Sequence, residues 1–594
     1  MSTDPLIIGG ACGFWGESPH ATRQLLTCPG INVLVFDYLS EITMSIMARA
    51  RMKDPSLGFA TDFVNDAMAP NIKTIADKGV KILSNAGGVN PRACAEALRS
   101  AIDKAGIALK IAVVEGDDLI ARAGEFADER EMFSSDPFPA PDKIASINAY
   151  LGALPIAAAL DAGADIVVTG RCADSALALA ACIHQFGWSA SDYDLLASGS
   201  LAGHLLECGP QATGGNFTDW SQSGNLAEIG YPVAEVEADG TFTMSKPPQT
   251  TGLVSPASVG EQLLYEIGDP QAYVLPDVIC DFSAVSLSPA GQDRVAVKGA
   301  RGRAPTGRLK VSATFSDGYR AGFVFQFNGR DARKKARTFV EAGLELARNR
   351  LTAMGASDFS ETSVELFGGK PGQGEYEEIS VTVAVKNPNA RAVGLFLKEV
   401  TGLALATPPG LHFFTGGGRP KPSPVVRLFS FLVDADCAPV RVAIDGQDIG
   451  YQHLETERRE DLVFDRVAPP QAVDGDDLVT VRLEDLAWAR SGDKGNNANI
   501  GVMARNKAYL PWIWRSLDEQ TVAGAFKSTL KGGIARYHLP GIHGMNIVMH
   551  DVLGGGGVAS LLNDAQGKAY AQTLLSLPIS LPRTLAESSG GGNS

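Results

Sequence analysis

In the first 170 residues, five short apolar runs each break off in a cluster of glycine and polar side chains, with an amphipathic stretch before the next run. The runs are Leu6–Gly10, Ile31–Phe36, Val80–Leu83, Lys110–Val114 and Asp165–Val168. They read as buried strands, and the stretches between them predict helices over Glu41–Arg51, Pro91–Ala105 and Ala149–Ala162. Strand, polar loop and helix at this spacing permit right-handed crossovers, so the pattern predicts an α/β main domain with a largely parallel sheet. Ligands of such sheets bind beyond the carboxyl ends of the strands, which is where the polar clusters fall.

From about Gly230 the texture changes. Arg308–Phe315 and Ile379–Val385 alternate or run β-branched, and one long helix is expected over Ala332–Leu351, so this second half reads as α+β. The main domain is expected to span 1–455. Thr456–Asp461, Pro469-Pro470 and Asp474–Asp477 mark a charged, proline-bearing linker over 456–477. Residues 478–585 then read as strand, loop, strand, a helix from Trp512 to Leu530, two strands and a helix from Ala565 to Leu575, an order that suits a small α/β sandwich. The glycine-rich end, 586–594, is expected to be a disordered tail.

The formal charge of −15 argues against nucleic acid, which needs a net basic face, but not against small anions held by a local Arg/Lys cluster. The start of the chain lacks the basic-then-apolar pattern of a signal peptide, and no apolar run reaches membrane-spanning length. Eight scattered cysteines with no CxxC pair read as reduced thiols, so a cytoplasmic location is expected.

Several clusters carry chemistry. In Asn85-Ala86-Gly87-Gly88-Val89-Asn90-Pro91-Arg92, Asn90 can cap a helix with proline at its first position, or free amides and Arg92 can hold an anion. Arg171, Asp174 and Ser175 offer a cation, an acid/base and a hydroxyl between strand and helix, or a capped helix start with an arginine partner. His204 and Glu207 lie three apart and share a helix face. The carboxylate can orient the imidazole as a general base, or the two can ligate a metal; with no third ligand nearby, no metal is predicted. The loop Gln211–Asn216, with Gly214 and Gly215, can offer amides to a carboxylate or thioester oxygen. The run from Arg490 to Gly501 holds Arg490, Ser491, Asp493, Lys494 and Asn496 between glycines, a composition that favours a tight loop and suits an anion. Gly9–Gly16 is a weak match to a dinucleotide-binding turn, and His412–Pro420 is a second glycine-rich turn, followed by Lys421.

Four stretches together carry a family resemblance: Asn85–Arg92, Ala162–Arg171, Gly203–Gly209 with Gln211–Asn216, and Arg490–Asn496. In their order and nearly full coverage they resemble the acyclic terpene utilisation protein A (AtuA) family, with a C-terminal AtuA-like ferredoxin-fold domain. The resemblance implies a setting in the breakdown of citronellol- or geraniol-type branched acyl-CoA compounds, beside biotin-dependent acyl-CoA carboxylases. It assigns no residue roles.

Taken together, the expectation is an enzyme acting on a branched acyl-CoA or hydroxy acid by hydration, dehydration or lyase chemistry. His204 oriented by Glu207, or Asp174, is the expected base. Loops Asn85–Asn90 and Gln211–Asn216 are the expected donors, and Arg171, Arg490 and Lys494 the expected anion anchors. No cofactor is expected beyond CoA as part of the substrate. The expected partners are the substrate, further copies of the chain and proteins of an acyl-CoA carboxylase pathway. The alternative is a non-catalytic subunit that binds CoA esters or joins such an assembly.

Overall fold

A computed structural model describes residues 4–369, 377–413, 418–453, 458–459, 462–557 and 559–589. Its contacts define two compact units: Met1–Thr314 with Phe429–Val552 and Lys568–Ser594, and Phe315–Leu428 with Leu553–Gly567.

The first unit is built on an eleven-stranded sheet. Its strands include β1 (Leu6–Cys12), β2 (Val33–Phe36), β3 (Lys81–Ser84), β4 (Ile111–Glu115), β6 (Ile166–Thr169), β7 (Val233–Val236) and β8 (Phe242–Ser245). β5 (Ile144–Ala149) pairs elsewhere, with the strand that begins at Arg308. The central order β1-β2-β3-β6-β4 is parallel throughout. All four residues of β2 and of β6 are buried, as a strand covered on both faces requires.

The expectation of a largely parallel sheet is corrected at both flanks. β7, β8 and the strands Arg294–Lys298 and Ser286–Gly291 extend the β1 side antiparallel, while Arg441–Ile444 and Gln447–Asp448 extend the β4 side antiparallel. The sheet is therefore mixed. Chain returning from 441 fills an edge that a sequence-local crossover would have left open.

Helices cover both faces: α1 (His20–Leu25), α2 (Glu41–Lys53), α3 (Ile72–Lys78), α4 (Pro91–Ala105), α5 (Leu154–Asp161), α6 (Ala176–Phe186), α7 (Tyr193–Leu206) and α8 (Pro256–Leu264). α4 starts on Pro91 and stops at Gly106, which takes φ 70°. Cys94, Leu98 and Ile102, four apart, form its buried stripe. α5 is shorter than the expected Ala149–Ala162, because Ala149 closes β5 instead. α7 packs close to its neighbours through glycines. A Cβ on Gly203 would lie 2.7 Å from Ser175 Cα, and one on Gly13 would lie 2.7 Å from Glu207 O. The glycines after β1 thus serve backbone contact with the end of α7, which leaves the dinucleotide reading without support.

Residues 478–582 add a four-stranded antiparallel sheet, ordered Ala487–Lys494, Asn497–Ala504, Gly544–Met549 and Ile534–Leu539. The pair Leu478–Arg482 and Pro578–Pro582 lies beside it in sequence. The expected helix Trp512–Leu530 is two short ones, Leu510–Ser516 and Glu519–Ala525, and the last runs over Tyr570–Leu575. Arg490–Lys494, expected in a loop, is strand, and the hairpin turns on Gly495-Asn496. α8 lies against this sheet, where a Cβ on Gly501 would overlap Leu264 and one on Gly492 would lie 2.6 Å from Glu266 Cγ.

The described residues between 458 and 477 carry no helix or strand; Val467 N donates to Gln271 Oε1 at 3.0 Å. Arg583–Ser589 is helical, so ordered chain runs past the expected start of the tail at 586. Residues 590–594, the linker residues 456, 457, 460 and 461, and 414–417 of the glycine-rich turn lie outside the described residues.

In the second unit, the strands Arg308–Gly329 (from Phe315), Glu361–Gly368 and Glu377–Asn387 pair antiparallel. The helices Ala332–Ala353 and Ala390–Gly402 close a core of Phe325, Phe327, Phe339, Val383 and Phe396. No helix among the described residues is long and apolar enough to cross a membrane.

Candidate functional site

The carboxyl ends of β2, β3 and β6 meet the last turn of α7. Asp37, just past β2, accepts from Asn85 Nδ2 at 2.5 Å, and Asn85 Oδ1 accepts from Tyr38 N at 2.7 Å. Arg171, just past β6 and 3% exposed, donates through Nη1 to Leu39 O at 2.8 Å and pairs with Asp174 Oδ1 at 2.9 Å. Its guanidinium lies 4.2 Å from the centre of the Tyr150 ring. Beneath it, Asp117 Oδ2 accepts from Arg171 N at 2.8 Å and from Asn148 Nδ2 at 2.9 Å. Burial pushes Asp117 up to about 7, against the pull of those hydrogen bonds.

His204 is 1% exposed and Glu207 is 9% exposed. Nδ1 of His204 lies 3.0 Å from Glu207 Oε1, and Nε2 lies 3.0 Å from Gln262 O and 3.2 Å from Leu263 O. Carbonyls only accept, so Nε2 carries a hydrogen. Nδ1 and Oε1 must then share a further proton, as imidazolium with carboxylate or as imidazole with carboxylic acid. Burial raises Glu207, and the field of Asp174 adds to it while His204 and Lys494 oppose it. Burial pulls the His204 imidazole down, but Glu207 and the carbonyl outweigh it and the ring ends above the usual histidine range. Both shifts hold the shared proton in place. Glu207 Oε2 is buried and has no hydrogen-bond partner among the described residues.

These groups form one electrostatic cluster. Burial raises Asp37 well above the carboxylate range; Asp174 and Glu207 raise it further, and Arg171 opposes them. Asp174, 30% exposed, is the carboxylate of the cluster that reaches solvent. Lys494 is exposed at the end of its strand, yet its charge is felt at His204 and Glu207. Asn85, Arg171, Asp174, His204, Glu207 and Lys494 are thus brought together.

Other expected site residues have different neighbours. Arg490 is buried and donates to Gln211 Oε1 at 2.9 Å and Gly215 O at 2.7 Å, with Glu261 Oε2 at 3.1 Å. Its guanidinium ties the C-terminal sheet to the main domain. Ser491 Oγ accepts from Ala571 N at 3.0 Å, Asp493 pairs with Lys568 Nζ at 2.9 Å, and Asn496 Nδ2 donates to Asp551 at 2.6 Å. The amides of Gly214 and Gly215 both return to Pro210 O, and Asn216 takes φ 52°. Gly88 N returns to Asn85 O, Gly87 sits against Thr169 O, and Asn90 Nδ2 serves Pro55 O and Leu57 O. Arg92 forms a two-pronged pair with Glu115 at 2.7 and 2.6 Å on an exposed face. Ser175 is buried at the start of α6, where Gly203 packs on it.

Sequence reasoning passed over Asp117, Glu261, Gln262, Asn499 and Asn546 as site residues, and gave Asp37 no part in this cluster. Asparagines inside the apolar strand Asn497–Ala504 and at 546 were the one available signal. Asn499 Nδ2 caps Leu264 O at 2.7 Å, and Asn546 Nδ2 caps Ile267 O at 2.7 Å.

The fold and site define an α/β protein whose strand-end carboxyl cluster is approached by an appended α+β domain. A family model described as "Acyclic terpene utilisation family protein AtuA" matches residues 6–444, and one described as "AtuA ferredoxin-like domain" matches 481–580. The chain belongs to the AtuA family, and its C-terminal domain is ferredoxin-like. Comparison with curated proteins gives no match.

Proposed function

We propose that the chain is an enzyme of acyclic isoprenoid breakdown that removes or adds water on a branched acyl-CoA or hydroxy acid by proton transfer. One observation carries this reading. Glu207 shares a proton with a histidine whose other ring nitrogen is held by carbonyls, and its second carboxylate oxygen is buried without a partner among the described residues. Such a group is a proton donor waiting for an acceptor.

In the dehydration direction, Asp174 takes the proton α to the carbonyl and the electron pair of that C–H bond forms the double bond. The β C–O bond breaks, and the leaving hydroxyl takes the Glu207 proton and departs as water. Asp174, partly exposed, returns its proton to solvent, and Glu207 regains one from solvent as the product leaves, with His204 Nδ1 again sharing it. Arg171 balances the carboxylate of Asp174 in its resting state. Hydration is the reverse.

The test is incubation of the full chain with branched enoyl-CoA and 3-hydroxyacyl-CoA panels, read by mass for gain or loss of one water and, in D2O, for deuterium at the α-carbon. Glu207→Gln and Asp174→Asn are each expected to lower kcat/KM by about 10²–10⁴-fold. Absence of both turnover and deuterium uptake on every member would overturn the reading in favour of a binding subunit.

A further inference from the structure

The last turn of α8 links the ferredoxin-like domain to the proton pair of α7. The final carbonyls of any α-helix lack partners within it. Here Gln262 O and Leu263 O receive His204 Nε2–H, and Leu264 O receives Asn499 Nδ2 at 2.7 Å. Asn499 Oδ1 also accepts from Glu266 N at 3.0 Å, so one carboxamide grips the chain on both sides of the helix end. One turn earlier, Arg490 pairs with Glu261, and Gln262 Nε2 donates to His204 O at 3.1 Å. Gly501 lets the strand lie directly on Leu264.

We infer that the ferredoxin-like domain sets the tautomer of His204: Arg490 and Asn499 hold the α8 end, and Gln262 latches it to α7, so that two carbonyls keep the hydrogen on Nε2. All three are positioning residues. The consequence is chemical. With Nε2–H fixed, the shared proton sits between Nδ1 and Glu207, and the pair acts as an acid. Were the carbonyls to move away, the neutral ring would put its one hydrogen on Nδ1, facing an ionised Glu207, and expose a lone pair at Nε2. The pair would then be a base. The other charged or titratable groups that face it are Asp37 and Asp174 from the strand ends, Lys494 from the hairpin, and Tyr273 and Cys208, which in turn feel Glu266 after α8.

The inference rests on the proton-donor role given to Glu207 above, but its test needs no substrate. The full chain, labelled with ¹⁵N in its histidine rings, is compared with Gln262→Leu, Asn499→Ser and Arg490→Lys by NMR at neutral pH, with His204→Asn for assignment. The parent is expected to show a protonated Nε2 at His204. Gln262→Leu and at least one of the two domain variants are expected to show the Nδ1–H tautomer or exchange of the Nε2 hydrogen at least about tenfold faster, on the scale of one lost hydrogen bond. Unchanged far-UV dichroism and an unchanged ring spectrum for the other histidines separate this from unfolding. An unprotonated Nε2 in the parent, or variants that fold and leave the His204 signals unmoved, would overturn the inference. Correct tautomer behaviour in a chain that turns over no acyl-CoA would instead remove the reaction and leave the positioning role standing.

Discussion

At the scale of single residues, the site is a set of buried carboxyl groups whose protons are held by their surroundings. Asp117 makes this testable apart from any activity. Its carboxyl is raised to about 7 in the fold from an ordinary value of 3.8, so the fold favours the protonated form. Its contribution to stability is complete below about pH 4 and is lost as pH rises through about 7. In Asp117→Asn that dependence disappears, while one acceptor remains for Arg171 N. Denaturant midpoints at pH 4.5 and pH 8 should therefore show the parent losing about 2–4 kcal/mol relative to the variant on going up. A constant gap between the two would contradict the assignment. Asp37 and Glu207 were legible in part, since one ends a strand and the other stands three residues from a histidine. Asp117 was not, because nothing local marks a carboxylate whose partners are an amide and a carboxamide 54 and 31 residues away.

At the scale of elements, the apolar runs of the first 170 residues were sufficient for the five parallel strands, because burial on both faces leaves no polar alternation to confuse the reading. α4 was legible to the residue, from Pro91, the stripe Cys94–Leu98–Ile102 and Gly106. Leu98→Ala should cost about 2–5 kcal/mol, measured by chemical denaturation. The glycines of the Arg490–Gly501 run were misread for a physical reason. A glycine needed for a tight loop and one needed for close packing look alike until the partner helix is known. Gly501→Ala is expected to cost about 1–3 kcal/mol, since its Cβ meets a buried Leu264 on a helix that cannot withdraw freely. Gly495→Ala is the control, with open space around the Cβ and only its φ of 63° to strain. A smaller loss at 501 than at 495 would mean the packing account is wrong.

At the scale of the molecule, the main domain is held to the ferredoxin-like domain by a buried ion pair, Arg490 with Glu261, whose numbers differ by 229 (490 − 261). Such a pair is weak evidence for net stability, yet breaking one partner is expensive because the other charge is stranded. Arg490→Met alone should cost about 3–5 kcal/mol, and Arg490→Met with Glu261→Met should recover most of it. Salt should matter little to either, because the pair lies out of solvent. Equal losses in the single and double variants would show that packing, not charge, joins the domain. No sequence pattern could have announced this pairing, since a cation and a carboxylate so far apart in the chain match only once the fold exists.

The segmented first unit also has a consequence for how the protein is made. α7 and α8 leave the ribosome long before the strands that cap Leu264 and the glycine that lies on it. Roughly 230 residues of further synthesis separate Glu261 from Arg490, about 10–50 s at elongation rates of about 5–20 residues per second. For that interval the nascent chain carries Glu261 without its arginine and a helix end with bare carbonyls. The carboxyl cluster is then an unfinished surface, and the α8 end is clasped only after about four-fifths of the chain has been read.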